Sequence, residues 1–229
     1  MDAEGCAVPD DLLYDVENDV WVRPADEGRS ATVGLVASLV SFAGRFTSVS
    51  FRPVDGALAR GRSLGTVESI RFTGAVRMPV DGTVLERNES LPTRPRLLND
   101  SPYEAGWFAR IAPSVPAALA QQLAPAPQAR EAIRRKVLEL RIRCYPASPD
   151  LEVYEIGAEC SAILARLDDE LARRSPGEVL LLVTDDPTSP IEMVRWSDRS
   201  GHSVLHHHRE ENLHHFLVRR EADPKPRRR

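Results

Sequence analysis

Three cysteines are all that 229 residues hold. Cys6, Cys144 and Cys160 show no metal-ligand spacing, and their number is odd. Free thiols in a reducing cytosol are the simplest expectation, so the chain is expected to be cytoplasmic. A surplus of one charge is lacking too. Thirty Lys and Arg against 34 Asp and Glu leave a net charge of -4, which gives no case for general nucleic-acid binding. Long hydrophobic runs are missing. The longest, "VGLVASLVSFAG" (Val33 to Gly44), is about half the roughly 20 residues a membrane helix needs. It is expected to be a packed or docking helix, with no membrane contact. The N-terminal "MDAEGCAVPDDLLYDVEND" is acidic and has no apolar core, unlike a signal peptide. No Ser-His-Asp set, phosphate-binding glycine loop or paired-carboxylate site emerges, so nothing points to an enzyme in the strict sense.

What is present begins with short strands. "VWVR", "ATVGL", "TSVSFR", "SLGTVES", "AVRMPV" and "GTVLERN" lie between Trp21 and Phe108, punctuated by Gly, Pro and Asp. Turns every 8 to 12 residues or so favour a small β-sandwich or barrel. Asp81-Gly82 between Val80 and Thr83 is a strong short-range hairpin signal. Ala112 to Gln128 holds four prolines and many alanines, which predicts a linker with broken helical turns. The domain boundary is expected between Pro113 and Asp150.

Beyond it the pattern alternates. "LEVYEI" predicts a strand and Gly157 a turn. "CSAILARLDDELARRS" carries Ile163, Leu164, Leu167 and Leu171 at helical spacing. "EVLLLVTD" is a buried strand, and "SPIEMVRWSDRSG" is a second helix with Ser189 as N-cap and Gly201 past its end. "HSVLHHHREENLHHFLVRR" folds back as a hairpin. The order β-α-β-α-β-β predicts a two-layer α/β sandwich with both helices on one face.

"YDVENDVWVR", "ATVGL", "GTVESIRFTG", "MPVDGTVLERNESL" and "PRLLNDSPYEAGWFARI" follow in order from Leu12 to Pro113. In these stretches the chain resembles the H protein of the glycine cleavage system, a lipoyl carrier that shuttles intermediates between partner enzymes. The resemblance implies a barrel-sandwich hybrid over residues 8–125. It also implies a lipoyl lysine three residues after a glutamate. Glu68 is retained, but Arg71 occupies the lysine position. A guanidinium with a pKa above about 12 cannot serve as an acyl acceptor. The only lysines are Lys136 and Lys225, so no cofactor is expected and covalent lipoate is not. Arg71 is read either as a solvated charge or as part of a retained docking surface.

"SPGEVLLLVTDDPTSPIEMVRWSDRSGHSVL" resembles TusA-type sulfur carriers, over residues 151–221. That family carries persulfide sulfur on a cysteine before its first helix, usually within Cys-Pro-x-Pro. The resemblance implies Cys160 as the catalytic candidate, with Ser161 and Ile163 where the prolines would stand. A thiol at a helix N-terminus is stabilised as thiolate by the helix dipole, although Glu159 beside it works the other way. Cys6 and Cys144 are read as structural or incidental. Sulfurtransferase activity through Cys160 and partners from sulfur or lipoate-linked metabolism are implied. Residues 126–150 are expected as a linker or helical connection, with "AREAIRRKVLELRIRC" able to continue as helix, and 222–229 as a basic tail.

The histidines are weaker candidates. With the hairpin centred on Glu210-Glu211, His206, His208 and His215 share one face, and His207 and His214 the other. Three imidazoles on one face suit zinc or nickel, but no fourth ligand is fixed. A solvated or partly packed cluster is the simpler expectation.

Overall fold

A computed structural model of the chain describes residues 2–53 and 56–223. The basic tail's last six residues, 224–229, lie outside the described residues. The chain divides into two units, Met1–Tyr145 and Pro146–Arg229.

The first unit opens with a small hairpin of β1 (Asp2–Ala3) and β2 (Cys6–Ala7). There follow β3 (Leu13–Asp15), β4 (Val20–Ala25), β5 (Ser30–Leu35), α1 (Ala37–Ala43), β6 (Phe46–Phe51), β7 (Ala57–Leu58), β8 (Ser63–Ser69), β9 (Thr73–Arg77) and β10 (Gly82–Arg87). The unit closes with α2 (Leu97–Asp100), β11 (Ala109–Pro113), α3 (Ala118–Gln122), β12 (Ala124–Pro125) and α4 (Ala126–Glu139). One sheet runs β12-β3-β4-β5-β11-β10-β7 and another β6-β8-β9, with antiparallel pairing throughout both.

Strand β4 shows why these layers form. Its "VWV" core alternates with the period of two that a pleated strand imposes. Val20 and Val22 enter a core with Val33, Phe46, Val67 and Phe108. Trp21 points the opposite way into a second core with Tyr14, Ala129, Ile133 and Val137. All three are fully buried. Trp21 faces Gly34 across the pair, and its ring occupies the room a side chain there would take: a Cβ on Gly34 would lie 2.6 Å from the ring. The indole N–H donates to the Pro102 carbonyl at 3.0 Å.

That second core corrects the expectation of a linker. Residues 112–128 finish β11, form α3 and β12 and begin α4, and 126–139 take the helical form expected of the connection. Ala126, Ala129, Ile133 and Val137 bury a stripe at helical spacing. Pro125 takes the extended N-cap position and Pro127 falls in the first turn, where a missing N–H costs nothing. Proline density marked the start of a helix, not the end of a domain.

Three further expectations change. Asp81-Gly82 is not a hairpin turn. Strand β9 ends at Arg77 and pairs only with β8, while β10 pairs with β11 and β7, so the segment crosses between the sheets. Pro79 cannot donate to a ladder, neither Asp81 nor Gly82 takes positive φ, and the Asp81 carboxylate accepts the Arg60 N–H at 2.7 Å. The apolar run Val33 to Gly44 is not one helix: its first three residues end β5, and Ala37–Ala43 forms α1. It packs within the first unit: Val36 lies in one core, and Val40 and Ala43 in the other. The cysteines are not all free. Cys6 and Cys144 are joined by a disulfide with a sequence separation of 138, which removes the ground for expecting a reducing cytosol. Closing so long a loop contributes about 5 kcal/mol in the chain-entropy picture.

The second unit has the expected order: β13 (Leu151–Glu155), α5 (Cys160–Ala172), β14 (Val179–Thr184), α6 (Ser189–Ser200), β15 (Ser203–Glu210) and β16 (Leu213–Arg219). The sheet runs β13-β14-β16-β15, parallel only between β13 and β14. Leu180, Leu182, Phe216 and Val218 meet Ile163, Leu167 and Leu171 of α5 and Met193 and Trp196 of α6. Trp196 ties the helices together by donating its indole N–H to Asp168 at 2.8 Å. Thr188, not Ser189, holds the N-cap position of α6, and Gly201 closes the helix in the left-handed region at φ 76°.

Substituting Gly34→Ala drives a methyl into the Trp21 ring and should cost about 2–4 kcal/mol of stability. Urea unfolding with a lowered midpoint and unchanged slope is the expected result.

Candidate functional site

The hairpin of β8 and β9 carries Ile70, Arg71 and Phe72 at its apex. Ile70 is 98% exposed, and Glu68 is also exposed. Arg71, where the resemblance sets a lipoyl lysine, is not extended into solvent. Its guanidinium lies over Gly44, within about the distance a Cβ there would clash (2.9 Å), and donates to the Ser41 carbonyl at 3.5 Å. Two neighbours do the same work at the end of α1. Ser69 donates its hydroxyl to the Ala43 carbonyl at 2.7 Å, and Asn99 donates its amide to the Gly44 carbonyl at 2.8 Å. The last carbonyls of a helix have no partner within it and carry the negative end of its dipole. A cation and two neutral donors meet that need. Phe72 packs edge-on against Phe42, ring centroids 6.3 Å apart, and Phe42 is 44% exposed. The apex is therefore an arginine-capped apolar knob. Its cap was not legible in sequence, because nothing local links Arg71 to a helix thirty residues away.

Lys136, one of the two lysines, is held by Asp19 at 2.7 and 2.8 Å. Burial raises the Asp19 carboxyl against the opposing pull of that lysine. Lys225 lies outside the described residues.

In the second unit Cys160 is the first residue of α5, half-buried and free. The loop between β14 and α6 comes over it. Asp185 accepts the Gly157 N–H at 2.8 Å, and Asp186 accepts both the N–H and the hydroxyl of Thr188 at 2.7 Å. Asp186 also receives hydrogen bonds from the Cys160 thiol and backbone. The expected thiolate does not follow. Burial pushes the Cys160 thiol up, the Asp186 carboxylate raises it further, Glu192 adds to this, and only the Thr188 hydroxyl opposes. The helix end is present, but the thiol is raised all the same, by burial first and by the neighbouring carboxylates after it. Asp186 itself is held below the ordinary range, first by the Thr188 hydroxyl. The sequence signal was available in Asp185-Asp186, but nothing local aimed it at Cys160.

The histidine hairpin turns at Glu211-Asn212, one residue later than expected, with Glu211 at φ 53°. The faces are unchanged because the offset moves both strands together. His208 pairs with His215, His206 lies 6.4 Å from His208 ring to ring, and His207 pairs with Phe216. Among the described residues no three His, Cys, Asp or Glu side chains are placed to hold a metal ion. His207 stacks on Phe216 at 4.5 Å and its Nε2 meets His214 Nδ1 at 3.0 Å. Burial lowers both rings below the usual imidazole range.

A family model described as "Glycine cleavage H-protein" matches residues 12–136. The chain belongs to the glycine cleavage H-protein family. Glycine cleavage system H protein 5 of Aquifex aeolicus is 33% identical over 147 residues, covering 62% of this chain and 98% of that protein. H protein 2 of the same organism is 36% identical over 110 residues, 48% of this chain and 68% of its own. The mitochondrial H protein of Flaveria trinervia is 34% identical over 119 residues, 52% of this chain and 70% of its own. A solved H protein from Mycobacterium marinum covers 54% of this chain at 24% identity and a TM-score of 0.48. Membership of the H-protein family accounts for the lipoyl-type sandwich of the first unit and extends into α4. No helix among the described residues is long and apolar enough to cross a membrane.

Two outcomes test this geometry. Asp186→Asn removes the nearest anion, so the pH midpoint for alkylation of Cys160 should fall; an unchanged midpoint would leave burial as the whole cause. His207 and His214 have folded-state values below the unfolded one. Their contribution is therefore present above the unfolded imidazole value and lost as pH falls below it. The second unit's thermal midpoint should drop between pH 7.5 and pH 5.5, about one unit either side of that value, and drop less in His207→Phe.

Proposed function

We propose that this H-protein-family chain is a carrier or adaptor that works without lipoate at residue 71, and that its second unit carries sulfane sulfur on Cys160. Arg71 is the observation that carries the first half. A guanidinium is not an amine and offers no acyl acceptor. In addition it is folded onto the α1 carbonyls rather than extended. Lipoate therefore does not fit this position, and no step is routed through it. The exposed knob of Ile70, Phe42 and Phe72 is then a docking element, presented by shape and charge alone.

For the second half, the resemblance of residues 151–221 to TusA-type carriers supports Cys160 as the acceptor. The thiol begins a helix directly after the first strand and is partly accessible. A sulfane sulfur held there would pass to an acceptor thiol by attack on the outer sulfur. The implied partners are proteins of sulfur or lipoate-linked metabolism, not nucleic acid or membrane. The role is that of a carrier with sulfurtransferase character.

A second reading is a purely non-covalent interaction module. The Asp186 carboxylate favours it, since a thiol kept protonated is a poor nucleophile. A third, participation in glycine decarboxylation itself, requires an acylated lysine that position 71 does not offer.

The readings separate by mass. Incubation with a sulfane-sulfur donor should add one sulfur to the wild type and none to Cys160→Ser; an unmodified wild-type thiol would leave the interaction module. Expression in lipoate-supplied cells should leave the wild type without a lipoyl group, and a lipoylated wild type would overturn the first half.

A further inference from the structure

Strand β15 turns back along α6 after Gly201, and the two do not close on one another. Between them lies a cavity of about 350 Å³, at the low end of the range that small-molecule clefts occupy. It is lined by the second unit alone. Cys160 does not line it, so its role is independent of sulfur carriage.

A bulge makes the room. The register of β15 against β16 shifts between Val204 and His206, so Leu205 is the extra residue. Val204 pairs with Val218 and His207 with Phe216, and both partners belong to the core beneath the helices. The bulge thus turns Val204 and His207 to the helix side, where an unbroken strand would offer every second residue. From the other side α6 contributes Pro190, Met193, Val194, Ser197 and Asp198 at helical spacing. Met193 and Phe216 are buried, while Val194 is 62% exposed at the mouth.

The two ends of the cavity differ in chemistry. Because the chain turns between Ser200 and Ser203, Ser197, Asp198, His202 and Ser203 fall together at the turn end. The rest of the lining is mainly apolar. At the turn end most polar groups are already engaged. The Ser197 hydroxyl donates to the His202 carbonyl at 2.7 Å, the Ser203 hydroxyl to the Glu221 carboxylate, and the Glu221 N–H to His202 Nδ1 at 3.2 Å. Asp198 is different: among the described residues its carboxylate takes part in no hydrogen bond or ion pair. The imidazoles give it no counter-charge at neutral pH, since burial first of all holds His202 and His207 below the usual range. Arg195 of the same helix does not line the cavity and is held by Glu192 at 2.6 Å.

We propose that this cavity binds a small organic cation, with a protonated amine at Asp198 and an apolar, ring-sized body against Met193, Val204 and Phe216. A carboxylate at the edge of an apolar enclosure attracts a cation more strongly than one in open solvent, because screening is weaker there. The Met193 thioether adapts its shape and sits well against a ring edge. The same carboxylate repels an anion of equal size, which gives the site its selectivity.

The full-length protein is titrated with 2-phenylethylamine while the methionine methyl signals are followed by NMR. The Met193 signal should shift along a single-site saturation curve, and the Met78 signal, from the core of the first unit, should not move. Asp198→Asn should weaken binding at least about tenfold. Val194→Trp, at an exposed helical position, fills the mouth and should abolish binding. The anion 3-phenylpropionate, with the same ring and the opposite charge, should leave the Met193 signal in place. No saturable shift at millimolar amine, a response at Met78 instead, an equal response to the anion, or undiminished affinity in either variant would overturn the proposal.

Discussion

Strand β4 has to be covered on both faces, and the first unit is arranged around that need. A strand with valines on one side and a tryptophan on the other cannot sit at the surface of a one-sided sheet. The valines take the three-stranded sheet as their cover. The tryptophan takes α4 and the N-terminal segment, which is why a helix far along the chain belongs to the same unit as residues 2–25. Gly34 is the local counterpart of the same demand, since the neighbouring strand must leave room for the ring.

The end of α1 is the second organising point. Its carbonyls gather Ser69 and Arg71 from the β8–β9 hairpin and Asn99 from α2. The Gly44 N–H reaches only the Val40 carbonyl, so the carbonyls that follow rely on neighbours. The residue at the hairpin apex is thereby given structural work. In the second unit an equivalent economy goes the other way. The Asp186 loop satisfies the N-terminal end of α5 and at the same time suppresses the ionisation that this end would otherwise favour.

The sequence was most informative where a short-range pattern decides the outcome. Turn punctuation marked out β4, β5, β6 and β8, helical spacing marked out α5, and end-capping residues marked out α6. Gly201 marked a helix end by its left-handed conformation. It was least informative where distant groups decide. Asp81-Gly82 has hairpin chemistry, but β10 had a better partner in β11 than in β9. The prolines of 112–128 signalled interruption, yet the apolar stripe of α4 needed the Trp21 face to be visible as a core element. Cys6 and Cys144 are paired across 138 residues, and no spacing rule spans that distance. At Cys160 the position was legible and the electrostatics were not, because both the burial and the Asp186 carboxylate come from tertiary neighbours.

Arg71 also has a mechanical consequence. The apex is braced against α1, and α1 is itself rooted in both cores: Val36 in one, Val40 and Ala43 in the other, with Leu39 touching each. A load applied at Ile70 is transmitted through the helix into the body of the unit instead of being absorbed by a pliant side chain. The tip is a fixed post, not a swinging arm. A partner that meets it encounters a shape already set, so little ordering entropy is lost on contact, and reach is exchanged for definition.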